Sequence, residues 1–244
     1  MSRSSVAGIF FCIKFASTPH KHKHPKMQNI ARLRPWFTSF LDLFYPIICE
    51  ACGRRIEEDA EFLCMHCQRI QPPTTLHLHR INEFTGHFRG RLQLHTASSL
   101  YYYVPGGLVH QLIEKIKYRK RPDLATSLGR YYGNMIADDH SFGQIDLVTS
   151  VPLHKSKQVQ RGYNQSECFA VAVAESLGIQ YRNGILLRHR SQNSLTAMDR
   201  FQRMKALQET YALADPSPIS NRHVLLVDDV MTTGATLEAC GRLL

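Results

Sequence analysis

The run VLLVDDVMTTGAT, from Val224 to Thr236, constrains this chain more than any other stretch. Apolar residues Val224 to Val227 lead directly into Asp228 and Asp229, and a threonine- and glycine-rich turn then opens a helix near Thr236. The unbroken apolar run reads as a buried strand of a parallel sheet with both faces covered. Neighbouring residues leaving a strand point in different directions, so the two carboxylates do not both belong to a core. Ligands of open α/β sheets bind beyond the carboxyl ends of the strands, which is where this doublet stands. The pair suits a ligand with vicinal hydroxyls, such as ribose, or a hydrated divalent cation. In Thr232, Thr233, Gly234, Ala235 and Thr236, free amides, a helix dipole and hydroxyls converge on one volume, which makes a phosphate cradle. Gly234 lets the main chain approach the ligand closely. Together these residues read as ribose on the carboxylates and a 5-phosphate in the loop. A P-loop is excluded because the stretch has no Gly-Lys-Ser/Thr.

A second constellation lies upstream. IDLVTSV (145–151) reads as another buried strand, with Ser150, Val151, Pro152 and Leu153 at its carboxyl end. Lys155, Lys157 and Arg161 follow, ahead of Gly162. A flexible basic segment beside a ribose site would fold over a diphosphate and neutralise it; the alternative is a solvated loop with a few cations. Helices are expected over LVHQLIEKIKYRK, over Asp123 to Ile136, and over SECFAVAVAESLG, closed by Gly178. Extended structure is expected over residues 93–104. The strand–helix–strand order predicts an α/β domain with a parallel sheet flanked by helices.

Cys49-x-x-Cys52 and Cys64-x-x-Cys67 stand eleven residues apart. Each pair fits a tight turn aiming two thiolates at one centre, and two such turns complete a tetrahedral site for zinc. A pair of disulfides is the other reading. Four thiolates leave no vacancy for water, so the zinc is expected to be structural, and a zinc hydrolase is disfavoured. His66 reads as a bystander, and Cys12, Cys168 and Cys240 as small packing residues.

The formal charge is +10, but Arg3, Lys14, Lys21, Lys23 and Lys26 supply half of it. From Met27 onward the balance is 25 basic against 20 acidic residues, which suits a polyphosphate or nucleic-acid ligand. No stretch reaches the roughly 18 apolar residues of a membrane span, and a cytoplasmic setting is expected. Residues 1–28 are expected to be a disordered extension or upstream sequence before a start at Met27. A signal peptide over VAGIFFCI and a light metal site at His20, His22 and His24 are the alternatives. Residues 29–72 are expected to hold an amphipathic helix (29–44) and the cysteine ribbon, and 73–98 a linker with little regular structure. The remaining domain spans 99–244.

VLLVDDVMTTGAT resembles the phosphoribosyl-pyrophosphate (PRPP) motif of type I phosphoribosyltransferases. VPLH, RGYNQSE, KIKYRKRPDLA, Arg200, Arg203 and the cysteine quartet together resemble the ComF family, over about residues 30–244. That resemblance implies a zinc ribbon followed by a type I phosphoribosyltransferase fold. It also implies PRPP bound with Mg²⁺ and a role in competence and DNA uptake. Asp228 and Asp229 would hold the ribose hydroxyls, and Thr232 to Thr236 the 5-phosphate. Arg161 with Lys155 or Lys157 would meet the diphosphate beside the loop at Ser150, Val151 and Pro152. Leu195 and Ala206 depart from the family pattern, with Gln192 as a shifted substitute, which bears on acceptor recognition. Family members continue from the last helix into another strand, so a truncated carboxyl end with an uncovered sheet edge is expected. The rival reading is a non-catalytic module that senses PRPP or binds single-stranded DNA or a helicase, using Tyr101 to Tyr103, Tyr118 and Tyr163 for stacking.

Overall fold

The structure is a computed structural model that describes residues 8–14, 47–56, 62–137, 142–189 and 209–244. The expected helix at 29–44, the histidines at 20–24, and Gln192, Leu195, Arg200, Arg203 and Ala206 lie outside the described residues. In chain order the elements begin with β1 (Gly8–Lys14), α1 (Met65–Ile70), a 3-10 turn (Leu76–Leu78), α2 (Glu83–His87) and β2 (Thr96–Tyr102). Then come α3 (Leu108–Tyr118), α4 (Pro122–Ala137), β3 (Leu147–Ser150), α5 (Lys155–Arg161) and α6 (Gln165–Leu177). The chain closes with β4 (Leu186–Arg188), β5 (Tyr211–Leu213), β6 (Val224–Met231) and α7 (Ala235–Gly241).

The first five residues of β6 are all buried, as the apolar run predicts. Alternate side chains serve opposite cores. Leu225 and Val227 join α3, α4, α6 and the cysteine segment, whereas Val224 and Leu226 join α2, α7, β4 and β5. Both faces are therefore covered. The neighbours differ from expectation, because the sheet is mixed: its order is β2-β1-β6-β3, and only β3 and β6 run parallel. Covering both faces explains a continuous apolar run whatever the direction of the adjacent strand, so the run could not report direction.

β1 corrects two expectations. Residues 8–14 were expected to lie in an extension outside the domain, yet GIFFCIK pairs antiparallel with both β2 and β6. Seven residues rich in isoleucine and phenylalanine have the length and composition of a strand. Gly8 faces Met231 and Lys14 faces Leu225 in this register. Between β1 and β3, neither side of β6 is left uncovered.

The expected linker at 73–98 is a packed segment. Asn82 caps α2 in a reciprocal capping box with Thr85, and Phe84 and Phe88 are fully buried. The basic segment after β3 is helical rather than a flexible loop. His154 caps α5 by accepting the Ser156 amide, and Gly162 ends the helix in the left-handed region at φ 86°. On the other side of the sheet, α4 and α6 approach so closely that a Cβ at Gly129 would stand 2.4 Å from the Phe169 carbonyl oxygen. Among the described residues no helix is long and apolar enough to cross a membrane.

Candidate functional site

The cysteines are gathered by two local devices. In the first, the Cys49 amide donates to Arg54 O at 2.7 Å and the Gly53 amide to Cys49 O at 2.9 Å, closing a turn whose Gly53 takes φ 71°. In the second, Cys64 stands at the cap of α1 and Cys67 in its first turn. The Glu50 amide, donating to Phe62 O at 2.9 Å, joins the two. All four sulfur atoms lie within 4.8 Å of one another, and Cys52 and Cys64 sulfurs are 3.6 Å apart. Around a metal with sulfur at about 2.3 Å, tetrahedral edges are about 3.8 Å. A disulfide needs about 2.05 Å, and all four cysteines are free. The cluster therefore fits a structural metal ion such as zinc. Burial pushes the Cys49 thiol up, but the backbone around Cys64, Cys52 and Ala51 outweighs it and brings it down to about 6. Burial, then hydrogen bonds to the other three thiols, hold Cys67 well above the usual range. A central cation would relieve this competition for charge.

Glu50, inside the first Cys-x-x-Cys, fastens the cluster to the body. Its carboxylate meets Lys115 of α3 at 3.0 Å and Arg121 at 2.7 Å. Burial opposes its ionisation, but the hydrogen bonds and charges of Arg121 and Lys115 outweigh that and keep its carboxyl below the ordinary range.

The acidic doublet stands near the carboxyl end of β6, with Val230 and Met231 still paired beyond it, and floors a cleft of about 150 Å³. Val151, Pro152 and Leu153 after β3, Lys157 and Arg161 of α5, and Asn164 to Ser166 at the start of α6 line it. Lys117, Arg188, Tyr211 and Thr236 complete the wall. Asn164 fixes the corner by donating to Val151 O at 3.1 Å while its side-chain oxygen accepts the Ser166 amide. The two carboxylates diverge, as neighbouring strand residues must. Asp229 pairs with Lys117 of α3 at 2.8 Å. Asp228, 8% exposed, accepts from Ser166 Oγ at 3.2 Å and from the Asp229 amide at 2.9 Å. Burial, then the charge of Asp229, push its carboxyl up to about 7.

The turn after β6 continues this floor, with Thr232, Thr233, Gly234, Ala235 and Thr236 lining an adjoining recess that also reaches Asp228. Gly234 sits at φ 71°, and a Cβ there would stand 2.9 Å from the Phe88 ring. His87 Nε2–H donates to Thr233 O at 2.9 Å, so α2 buttresses the turn from behind. Glu238 of α7 is anchored by Arg91 at 3.0 Å and Arg242 at 2.9 Å.

Of the residues read as ligand-binding, Asp228, Asp229, Val151, Pro152, Lys157, Arg161 and Thr236 line this cleft and Thr232 to Ala235 the adjoining recess, whereas Ser150 and Lys155 line neither. Ser150 is turned away, hydrogen-bonded to Tyr181 Oη at 2.9 Å, and Lys155 is exposed and outside the lining. Sequence reasoning missed Lys117, Ser166, Arg188 and Tyr211. Lys117 and Ser166 lie inside quoted motifs, KIKYRK and RGYNQSE. Arg188 and Tyr211 carry no local signature, because pairing of β4 with β5 brings them together.

This α/β chain thus combines an acid-floored cleft with a four-thiol cluster that fits a structural metal ion. Comparison with known proteins narrows the reading. The chain is 32% identical to Competence protein F of Haemophilus influenzae over 140 residues, 54% of this chain and 60% of that protein. It is 27% identical over 136 residues to DNA utilization protein YhgH of Escherichia coli K12, again 54% of this chain and 59% of that one. With YhgH of Salmonella typhimurium the figures are 31% over 140 residues, 56% and 59%. The chain thus spans about 60% of the length of the curated relatives it matches. These matches bear out the resemblance to the ComF family over that part of the chain. No family model and no solved structure matches.

Proposed function

We propose that this chain is a phosphoribosyltransferase-like protein that binds PRPP with Mg²⁺ and acts in competence and DNA utilisation. The second half of that reading comes from the names its relatives carry. One observation supports the first half above all: the acidic doublet and the cations Lys157 and Arg161 line one recess, the Thr232–Thr236 turn lines another, and the two share Asp228, Val230 and Thr236. A ribose 5-phosphate 1-diphosphate needs all three chemistries, with the hydroxyl-binding acids between the two phosphate sites. In this reading Asp228 and Asp229 would hold the ribose hydroxyls, either by accepting their hydrogen bonds or by way of the magnesium ion. Thr232 to Thr236 hold the 5-phosphate with amides and hydroxyls. Val151 and Pro152 shape the wall beside the diphosphate, which Arg161 and Lys157 neutralise.

The reaction is a displacement at ribose C1. The C1–O bond breaks, its electron pair leaves with the diphosphate, and a lone pair of the acceptor forms the new bond. Magnesium would supply additional charge neutralisation on the leaving group. The protein's own part is electrostatic placement, worth roughly 10²–10³ per well-placed donor. Lys117 pairs with Asp229 and would yield to a ligand or cation.

A non-catalytic single-stranded-DNA module is the second reading. Its favouring observation is exposed Tyr118 with the Arg161 guanidinium 5.7 Å from its ring centroid, a platform of the kind bases stack on. The deciding experiment measures PRPP affinity and diphosphate release for the chain and for Asp228→Asn/Asp229→Asn. The transferase reading expects measurable PRPP binding that falls at least about tenfold in the double variant, a change of about 1.4 kcal/mol. Unchanged affinity would sink it. Salt-sensitive DNA binding without diphosphate release would favour the module.

A further inference from the structure

Three polar side-chain atoms of the cleft-lining residues have no hydrogen-bond partner among the described residues: Arg188 Nε, Tyr211 Oη and Gln165 Nε2. Tyr211 and Gln165 are only 3% and 1% exposed, so water does not satisfy them. The Thr236 hydroxyl approaches Tyr211 Oη without completing a hydrogen bond. Arg188 is half-buried and forms no ion pair among the described residues, although both acids of the cleft are near. Lys117 takes Asp229, and Ser166 takes Asp228.

The geometry of these groups defines what would satisfy them. The Arg188 guanidinium lies over the Tyr211 ring, its Cζ 5.4 Å from the centroid. Stacking uses the flat face and leaves the edge, where Nε–H and an Nη–H make the fork that matches a carboxylate. Gln165 Oε1 already accepts from Arg161 Nη1 at 3.0 Å, so its amide presents N–H to a ligand. The subsite thus offers two N–H donors and a hydroxyl that can also donate. Buried donors left unpaired are unfavourable, and three around one small cleft call for a ligand rich in acceptor oxygens.

We infer that the cleft holds a second subsite, formed by Arg188, Tyr211 and Gln165, that seats the carboxylate of a small acceptor molecule. The word acceptor rests on the PRPP reading above; the carboxylate does not. Tyr211 stands beside Thr236 at the end of the phosphate turn, and all three residues share the cleft with Asp228.

The test titrates the full chain, with PRPP and Mg²⁺ present, against two acid–neutral pairs: orotate with uracil, and nicotinate with nicotinamide. The wild-type chain is expected to prefer the acid at least about tenfold in one pair or both. Arg188→Gln should bring that ratio to about one. Tyr211→Phe should lower it about three- to tenfold with an equal or higher Tm, because the change removes only a partnerless buried hydroxyl. If Arg188→Gln does not fold, Tyr211→Phe decides. No acid preference in either pair overturns the inference, and so does a ratio unchanged in both variants. A tenfold loss of PRPP affinity in Arg188→Gln with the acid preference intact would assign Arg188 to the diphosphate and overturn it too. PRPP binding is measured separately. If PRPP fails to bind while an Arg188-dependent acid preference persists, the transferase reading falls and the subsite stands.

Discussion

The cysteine cluster and the acid-floored cleft are built on opposite plans. All four sulfurs come from residues 49 to 67, and each pair is set by a turn or a helix cap of its own. The cleft draws on residues from Lys117 to Thr236 and on both faces of the sheet. The first is a local object whose four thiolates a single metal ion would hold together. The second is a long-range object whose charges are only partly satisfied within the protein: Asp229 has Lys117, but Arg188 has no counter-ion among the described residues. A local, closed site suits a structural role, and a distributed site with spare donors suits a changing ligand.

The sharpest way to break that contrast is to remove one thiolate. Cys49→Ser should abolish stoichiometric metal binding, read as zinc per chain by mass spectrometry. Apparent binding energies of structural zinc run to about 10 kcal/mol or more, so the whole fold should suffer. A loss of even 4 kcal/mol corresponds to a fall in Tm of roughly 8–16 °C for a chain of this size. Glu50 would carry the damage inward, because its ion pairs with Lys115 and Arg121 stand on the turn that bears Cys49 and Cys52. A variant that loses zinc yet keeps its Tm would show the cluster to be an independent appendage.

Two glycines separate packing from site geometry. At Gly129 a Cβ would meet the Phe169 carbonyl oxygen at 2.4 Å, a backbone atom with little room to yield. Gly129→Ala should destabilise by about 1–3 kcal/mol through overpacking between α4 and α6, with PRPP affinity of the folded fraction unchanged. At Gly234 the new Cβ meets a phenylalanine ring at 2.9 Å and the backbone holds φ 71°. Gly234→Ala should cost about 1–2 kcal/mol and also weaken PRPP binding, because relief displaces the turn itself. Equal ligand effects from the two substitutions would erase the distinction between scaffold and site.

The same contrast explains what could be read in the sequence. The cysteine spacing and the run into Asp228 and Asp229 are local patterns, and the structure places both where strand and turn chemistry require. β3, α3, α4, α6 and the Gly178 terminus were likewise legible, since each carries its own period or cap. The direction of the sheet was not, because apolar runs record burial and not the orientation of neighbours. β1 was missed because a seven-residue apolar run has no signal for a partner more than 200 residues away. α2 was legible in principle: Asn82 with Thr85, and Phe84 with Phe88, are a cap and an i,i+4 pair that the surrounding polar residues masked. Arg188 and Tyr211 become neighbours only through the β4–β5 pairing.

Asp228 supplies opposite pH slopes for folding and for binding. Its folded carboxyl titrates near 7, above the ordinary 3.8, so the folded state holds the proton more tightly than the unfolded one. Stability from this group is full below the unfolded value and is lost as pH rises through the folded one. Between pH 6 and 8 the loss is about 1.4 kcal/mol, and Asp228→Asn should remove that slope in urea titrations. Ribose hydroxyls and cations prefer the ionised form, so PRPP affinity should rise over the same interval and the variant should lack that part of the rise. Parallel slopes in the two chains would mean that Asp228 does not titrate there.

The smallest effect tests the helix that replaced the expected loop. Along α5, residues four apart share a face and residues two apart point about 200° away from each other. Lys157 and Arg161 are therefore on one side, the cleft side, and Lys155 is on the other. Burial, together with the positive charges of Arg161, Arg188 and Lys117, holds the Lys157 ammonium below its ordinary pKa. A ligand diphosphate would offset that repulsion. Lys157→Ala should weaken PRPP binding about three- to tenfold, roughly 1 kcal/mol, more at low salt than at high. Lys155→Ala should change it less than about twofold, within the range of a solvated surface charge. Equal losses would mean that the segment meets the ligand as a flexible loop after all.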